Sequence, residues 1–297
     1  MTTSAVDTRR LAGTEPATAR RRRSSTSLVR TLLAAVIAVA FILPAAWILI
    51  NSLRPNQEIL SSLSPLSWDL IIPSRLTLEN YTGILLDGGF ARALFNSLVV
   101  SMASVLLGLI VSTLAAYALA VFDFPFRNVV FAIVVISFLV PFEAIAIPLS
   151  QQFIDWGLGN TLMGLILPGI GSGLAVFNLR QHFLGIPSSY REAAMLDGAS
   201  EPRIVVSVFV PMSGAALMNS ALLIFLGQWT SYLWPLLLIT DNQLQVAPIA
   251  LALTFGERAA DYGQNFAGSV LLSLLPAVVL LVLQRFFGRV SISSGEK

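Results

Sequence analysis

Charged residues along this chain are spaced so that long, uncharged, mostly apolar intervals alternate with short polar ones. The intervals have the lengths of helices, not strands. Thr31 to Ile50 is 20 residues without a charge, about the 30 Å that an α-helix covers in crossing the hydrocarbon of a bilayer. Arg92 and Asp123 bracket 30 more, enough for a span with tilt or overhang. Val129 to Ser150, Thr161 to Leu179, Ile204 to Thr240 and Tyr262 to Gln284 supply the rest. The pattern predicts an all-α polytopic membrane protein with six transmembrane helices, at about 31–50, 93–121, 129–150, 161–180, 204–230 and 264–285. These lie in a membrane domain over 28–290, between a disordered cytoplasmic tail (1–27) and a short cytoplasmic C-terminal tail (291–297). Pro211, just inside the fifth span, removes a backbone donor and can kink that helix.

Composition agrees with the pattern: 56% of the residues are hydrophobic and 11% charged, where soluble domains carry about a quarter. The arginines set the topology. With both termini, the loop from Phe122 to Asn128 and the loop from Arg180 to Arg203 in the cytoplasm, only Arg54, Arg75, Arg92 and Arg258 of the 18 basic residues fall outside. That distribution obeys the positive-inside rule. The Arg20–Arg23 run then serves as a topology anchor or as a contact for anionic membrane lipid. Because a 20-residue run without a small-residue cleavage site follows it, the first helix reads as an uncleaved span, not a secretory signal.

Several chemistries lose their residues at this stage. The chain has no cysteine, one histidine, His182, and one lysine, Lys297. Thiol chemistry is thereby excluded, and zinc or triad chemistry is confined to His182. A phosphate-cradling P-loop needs its lysine inside a glycine-rich turn, and here the only lysine is the last residue. No catalytic residue, metal, cofactor or nucleic-acid partner is expected. The glycines of "PGIGSG", after Pro168 in the fourth span, read as close helix packing.

One stretch interrupts the apolar pattern. "SSYREAAMLDGAS", Ser188 to Ser200, predicts a small helix with hard ends. Ser189 and Glu192 have the spacing of a capping box. Gly198 can close the helix in a left-handed conformation, and Ser200 can cap a following helix with Pro202 in its first turn. At about eight residues, or 12 Å, such a helix is not stable alone in water and needs a surface to dock on. Ala193, Ala194 and Leu196 are small or apolar, while Arg191, Glu192 and Asp197 are charged, which suits a knob set into a partner's cleft.

The residues "EAAMLDGASEPRIVVSVFVP" resemble the EAA loop of ABC importer permeases: Glu-Ala-Ala, three residues, Gly198, nine residues, then a hydrophobic pair ending in Pro211. Val208 and Val210 stand where that motif more often has Ile and Leu. "LENYTGIL", "NSLVVS", "LAAYALA", "PFEAIAIPL", "LGQWTSYLWPLLL" and "LLPAVVLLVLQRFF" extend the resemblance over nearly the whole chain. They point to the carbohydrate-uptake type, similar to the smaller six-helix permease of maltose and glycerol-phosphate systems. The resemblance implies the type I importer permease fold in the bacterial cytoplasmic membrane. It makes residues 186–203 a coupling loop in which Tyr190, Glu192, Ala193, Ala194, Asp197, Gly198 and Ala199 meet an ATPase. It further implies a heterodimer with a second permease, two ATP-binding cassette ATPase subunits and an extracytoplasmic solute-binding protein. The tail "FGRVSISSGEK" resembles the family's ATPase-contacting tail without its usual Gly-Ala-x-Lys-Gly order.

Glu143, Asn178, Gln228, Trp229 and Tyr232 are the candidates for the solute pathway. Glu143 is the one acid inside a predicted span, and intramembrane acids are functional by default. It also sits near enough to the outer interface to be simply solvated. Gln228 to Trp234 offer aromatic faces with amide and hydroxyl groups, which suits sugars, and equally an interfacial aromatic belt. Asn178, Asn219 and Asn96 read as interhelical hydrogen-bond partners, and His182 as a loop contact. Leu53 to Arg92 and Thr240 to Asn265, which hold most of the outer charge, read as solvated loops or as the docking face for the binding protein. An ion-coupled secondary transporter is the rival reading, and it would place ionisable relays in several spans.

Overall fold

A computed structural model of the chain describes residues 25–61, 75–87, 89–257 and 261–293. The Arg-rich N-terminal tail, Asp69, Arg258 and the last residues of the C-terminal tail lie outside them. The chain divides into two compact units, residues 1–46 and 47–297. The first contributes most of α1 (Ser25–Ser52), apolar on every side and carrying Pro44.

The second unit is built of helices, with no strand among its described residues. The chain runs through α2 (Asn56–Ser61) and α3 (Glu79–Thr82), the latter continued by a π-helical turn over Gly83–Asp87. Then come α4 (Phe90–Val121), α5 (Arg127–Leu139), α6 (Phe142–Asp155), α7 (Leu162–Ile170), α8 (Gly173–Phe183), α9 (Ser188–Leu196) and α10 (Glu201–Ile204). A second π-helical turn, Val205–Phe209, leads through α11 (Val210–Met212) into α12 (Gly214–Trp229). The chain closes with α13 (Leu233–Leu238), α14 (Ala247–Glu257) and α15 (Tyr262–Ser293).

Four stretches are long and apolar enough to cross a membrane: Val29–Ser52, Phe90–Val121, Leu162–Phe183 and Tyr262–Leu283. The other two predicted spans are not straight rods. The third bends by 96° between α5 and α6, because Val140 precedes Pro141 and is driven to extended backbone, φ −74° and ψ 122°. The fifth bends by 90° between α11 and α12. The expected kink in this span is present, but its break falls at Ser213, two residues beyond Pro211. The π-helical turn has already widened the ladder before Pro211, and Ser213 (φ −113°, ψ 21°) leaves helical geometry just beyond it.

α4 is the central post. Ser97, Ser101, Ser104, Gly108 and Ser112 recur along it at three- and four-residue spacing, and all five are buried. Small side chains let neighbouring backbones approach closely. A Cβ at Gly108 would meet the Gly169 carbonyl oxygen of α7 at 3.1 Å. Three apolar clusters follow the length of this post. The first joins Tyr117, Leu179, Phe183, Ile204 and Phe209. The second joins Val100, Phe153, Leu165, Trp234 and Leu238. The third joins Ile84, Phe90, Ala247 and Leu251.

The seam between α7 and α13 tolerates no extra carbon. Trp234 Nε1–H donates to the Gly164 carbonyl at 3.0 Å. A Cβ on Gly164 would lie 2.4 Å from the Leu158 carbonyl oxygen and 2.7 Å from Leu238 Cδ2. Gly164→Ala is therefore expected to destabilise the purified chain by about 1–3 kcal/mol, read as a lower Tm in detergent. An unchanged Tm would mean that the seam can open.

Thr240 to Asn265 departs from the loop expected there. Its first part is pinned by side chains: Asn96 Nδ2 donates to the Gln243 and Gln245 carbonyls, both at 2.9 Å, and Ser97 Oγ accepts from Ala247 N–H at 2.8 Å. Asn160 Oδ1 accepts from the backbone N–H groups of Thr240 and Asp241 at 2.6 and 3.0 Å. α14 then buries Ala247, Ile249 and Leu251.

Candidate functional site

Two features carry functional geometry. The first is α9 with its flanks. The helix begins at Ser188 behind Pro187, and no side chain caps it, so the capping box read from Ser189 and Glu192 does not form. Pro187 sets the entry instead: its φ of −58° is fixed by the ring, and its carbonyl accepts from Tyr190 N–H at 3.3 Å. Ser189 is thereby carried inside the helix, two positions past the cap. The other end is as expected, with Gly198 at φ +76°, a conformation that glycine adopts without Cβ strain. Ser200 takes the extended backbone of a cap, and Pro202 follows in the first turn, but Ser200 makes no side-chain cap hydrogen bond.

None of the residues of α9 is buried. Ala194 and Ala199, with Ile186, lean on the first apolar cluster. Tyr190, Glu192, Ala193, Met195 and Asp197 are exposed, and Leu196 is 89% exposed. A leucine this exposed at the tip of a nine-residue helix is an apolar knob with no cover in its own chain.

An ion pair absent from the sequence-based candidates fixes the helix. Arg191 Nη2 donates to Glu201 Oε1, and Tyr117 Oη–H of α4 donates to Glu201 Oε2 at 2.5 Å. The hydrogen bond from Arg191 to Glu201 holds the guanidinium more firmly in its charged form, raising its pKa. Tyr117 is 3% exposed and stands edge-on to Phe122 and Phe209, with ring centroids at 5.6 and 4.8 Å. Nearby, Arg180 lies 3.9 Å over the Phe131 ring and donates through Nε to the Leu119 carbonyl at 3.1 Å.

The second feature is a cavity of about 560 Å³ between α6, α7, α12, α13 and the turn that precedes α8. Three of the five pathway candidates meet there: Glu143, Gln228 and Tyr232. Glu143 reaches it from the first turn of α6, where the helix dipole favours a carboxylate. Gln228 sits in the last turn of α12, and Tyr232 in the break before α13. The wall opposite is the interruption between α7 and α8, where Pro168, Gly169 and Ser172 line the space and Ser172 Oγ caps α8 by accepting from Ala175 N–H at 3.3 Å. Trp234 closes one side, edge-on to Phe142 and Phe153 at 5.7 and 5.0 Å.

The other two candidates lie elsewhere. Trp229 is 3% exposed, stacks on Phe225 at 5.7 Å, and donates Nε1–H to the Leu272 carbonyl at 2.9 Å, so it ties α12 to α15. Asn178 is an interhelical partner: its Nδ2 donates to the Ala216 carbonyl at 3.0 Å and to Ser220 Oγ at 2.8 Å, and Asn219 Nδ2 donates to Asn178 Oδ1 at 3.3 Å. His182 Nε2–H donates to the Met212 carbonyl at 3.3 Å, supporting the backbone where the fifth span bends. Among the described residues, no group of three or more His, Asp and Glu side chains could hold a metal.

Known proteins resemble this chain over most of its length. The arabinooligosaccharides transport system permease protein AraQ of Halalkalibacterium halodurans is 36% identical over 255 residues, 85% of this chain and 90% of that protein. The osmoprotective compounds uptake permease protein GgtD of Synechocystis is 32% identical over 86% of this chain and 88% of its own length. The sn-glycerol-3-phosphate transport system permease protein UgpE of Rhizobium meliloti is 29% identical over 90% of this chain and 96% of its own. The fold matches that of a bacterial ABC transporter involved in the import of the acidic polysaccharide alginate, with a TM-score of 0.76 at 23% identity, covering 92% of this chain and all of that one. Residues 104–291, which hold the cavity walls, α9 and the bent fifth span, match the model of the binding-protein-dependent transport system inner membrane component, and the chain belongs to that family of transport permeases.

Proposed function

We propose that this chain forms one half of the translocation pathway for a neutral sugar or sugar-like solute in an ATP-binding-cassette importer, with α9 as the helix that seats on an ATPase subunit. The observation that carries this reading is the uncovered face of α9, an apolar knob held by its flanks and linked through short helical segments to the helix that walls the cavity. From α9 the backbone passes through α10, the π-helical turn and α11 into α12, which ends at Gln228. Closure of an ATPase dimer on α9 is thereby converted into a rocking of the cavity wall, the general form of alternating access around a midplane site. The second permease, a pair of ATPases and a solute-binding protein complete the assembly. The membrane domain of 28–290, with both termini cytoplasmic, follows from the arginine distribution.

The cavity lining supports the solute class. Glu143 is the only charged side chain among the lining residues, so nothing there is built to neutralise a phosphate or a carboxylate. Gln228, Thr230, Ser231 and Tyr232 present amide and hydroxyl groups, and the Tyr232 ring, 46% exposed, offers an apolar face with a polar rim. The relatives named for arabinooligosaccharide and sn-glycerol-3-phosphate transport mark the two alternatives.

Reconstitution of the complete complex in liposomes tests the reading. ATP-dependent uptake of arabinooligosaccharides, but not of glycerol 3-phosphate, is expected. Tyr232→Ala should raise the apparent KM for the sugar about tenfold, equivalent to 1.4 kcal/mol, with ATP hydrolysis retained. Preferred uptake of glycerol 3-phosphate would contradict the neutral-solute reading.

A further inference from the structure

Glu201, Arg191 and Tyr117 form a network that neither α9 nor the cavity accounts for. Glu201 uses both carboxylate oxygens: Oε1 takes Arg191 Nη2, and Oε2 takes the Tyr117 hydroxyl at 2.5 Å and Arg191 Nε at 3.4 Å. The guanidinium also lies 5.7 Å from the centre of the Phe122 ring. Arg191 belongs to α9, Glu201 opens α10, and Tyr117 belongs to α4, 84 residues before Glu201. An isolated exposed ion pair contributes little. This one is partly buried, with Arg191 and Glu201 side chains 26% and 32% exposed, and it ends on a phenol embedded in an aromatic stack. Phe209 continues that stack by meeting Phe183 edge-on at 5.4 Å.

We infer that Arg191, Glu201 and Tyr117 are positioning residues that carry displacement of α9 directly into α4, alongside the covalent route through α10 to α12. The inference rests on the proposed seating of α9 on an ATPase. α4 is suited to the task because it backs the cavity. Ser104 lies about 20 Å along α4 from Tyr117, and Ser104 Cβ is 3.0 Å from where a Cβ on Gly169 would stand. With the clamp intact, the two walls of the broken α7–α8 region receive the same motion from two helices. Without it, α9 drives only the chain to which it is bonded.

The test uses the complete complex in liposomes, measuring ATPase co-purification, ATP hydrolysis and solute uptake for Tyr117→Phe, Glu201→Gln and the double variant. Tyr117→Phe keeps the ring and its packing and removes only the hydroxyl. ATPase association and hydrolysis are expected to persist, while uptake per ATP falls about twofold to thirtyfold, the span of typical coupling changes. The double variant should be no worse than Glu201→Gln alone, since both remove the same link. Wild-type uptake per ATP in both single variants, with the ATPase still bound, overturns the clamp and leaves the seating of α9 standing. ATPase association that also survives Leu196→Asp removes the seating and the clamp with it.

Discussion

Replacing Leu196 with aspartate is expected to weaken association of the ATPase by about two orders of magnitude while leaving the permease folded. Leu196 is 89% exposed, and its side chain supports nothing in its own chain, so the substitution has no folded-state contact to break. On the proposed reading the same side chain is buried in the partner's cleft. A carboxylate forced into that apolar site loses the leucine's burial and must be desolvated without a partner, and central interface residues of this kind contribute about 2–4 kcal/mol when lost. Microscale binding of purified ATPase to the solubilised permease reads the effect directly, with Tm in detergent as the control for folding. Uptake in liposomes should fall in step. Unchanged affinity with unchanged Tm would place the ATPase contact elsewhere on the chain.

Gly169→Ala is expected to block uptake from the opposite end of the account. A Cβ at Gly169 would stand 1.7 Å from Gln228 Nε2 and 3.0 Å from Ser104 Cβ. The serine belongs to the α4 post and can give only a few tenths of an ångström, so the flexible end of Gln228 has to move. The space open to it is the cavity that both residues line. Uptake should therefore drop about tenfold or more, with ATPase association unaffected because α9 is untouched. Adding Gln228→Ala removes the clashing amide, and the double variant should regain the Tm lost in Gly169→Ala alone. Wild-type uptake in Gly169→Ala would mean that the cavity is not the route taken by the solute.

How much of this was legible in the sequence depended on whether a residue's role was local. Charge-free intervals located the apolar segments because desolvating a charge in hydrocarbon is costly wherever it occurs. The glycine stop at Gly198 was equally readable, since a positive φ is a property of one residue and its neighbours. The starting end of α9 was not, because Ser189 satisfies the spacing of a capping box and only the fixed φ of Pro187 moves the helix start ahead of it. Bends of 96° and 90° were hidden inside apolar runs. Pro141 and Pro211 lie close to the bends, but the angle arises from the backbone beside them, extended at Val140 and out of helical geometry at Ser213.

Roles that depend on long-range contacts stayed out of reach. Glu201 and Tyr117 are separated by 84 positions, and neither has a local pattern that marks it; the one available hint was a tyrosine in an otherwise small and aliphatic stretch, "LAAYALA". The solute-pathway candidates divided on the same ground. Gln228, Trp229 and Tyr232 are near neighbours in sequence, yet Gln228 and Tyr232 face the cavity while Trp229 faces α15. A helical turn of 100° per residue separates the first two side chains of that group, and which face looks inward is decided by α15 packing on α12. α14 was missed because an 11-residue apolar helix in a segment flanked by charge carries neither the length of a span nor the polarity of a loop.

The most direct measurement is affinity purification of the solubilised chain from the membrane of the cell that makes it, under conditions that preserve membrane complexes, with the associated proteins identified by mass. The account predicts an ATP-binding cassette ATPase and a second, related permease in the wild-type preparation, with the ATPase alone missing from Leu196→Asp. Wild type emerging without either protein would contradict it and leave a self-contained carrier as the better description of this chain.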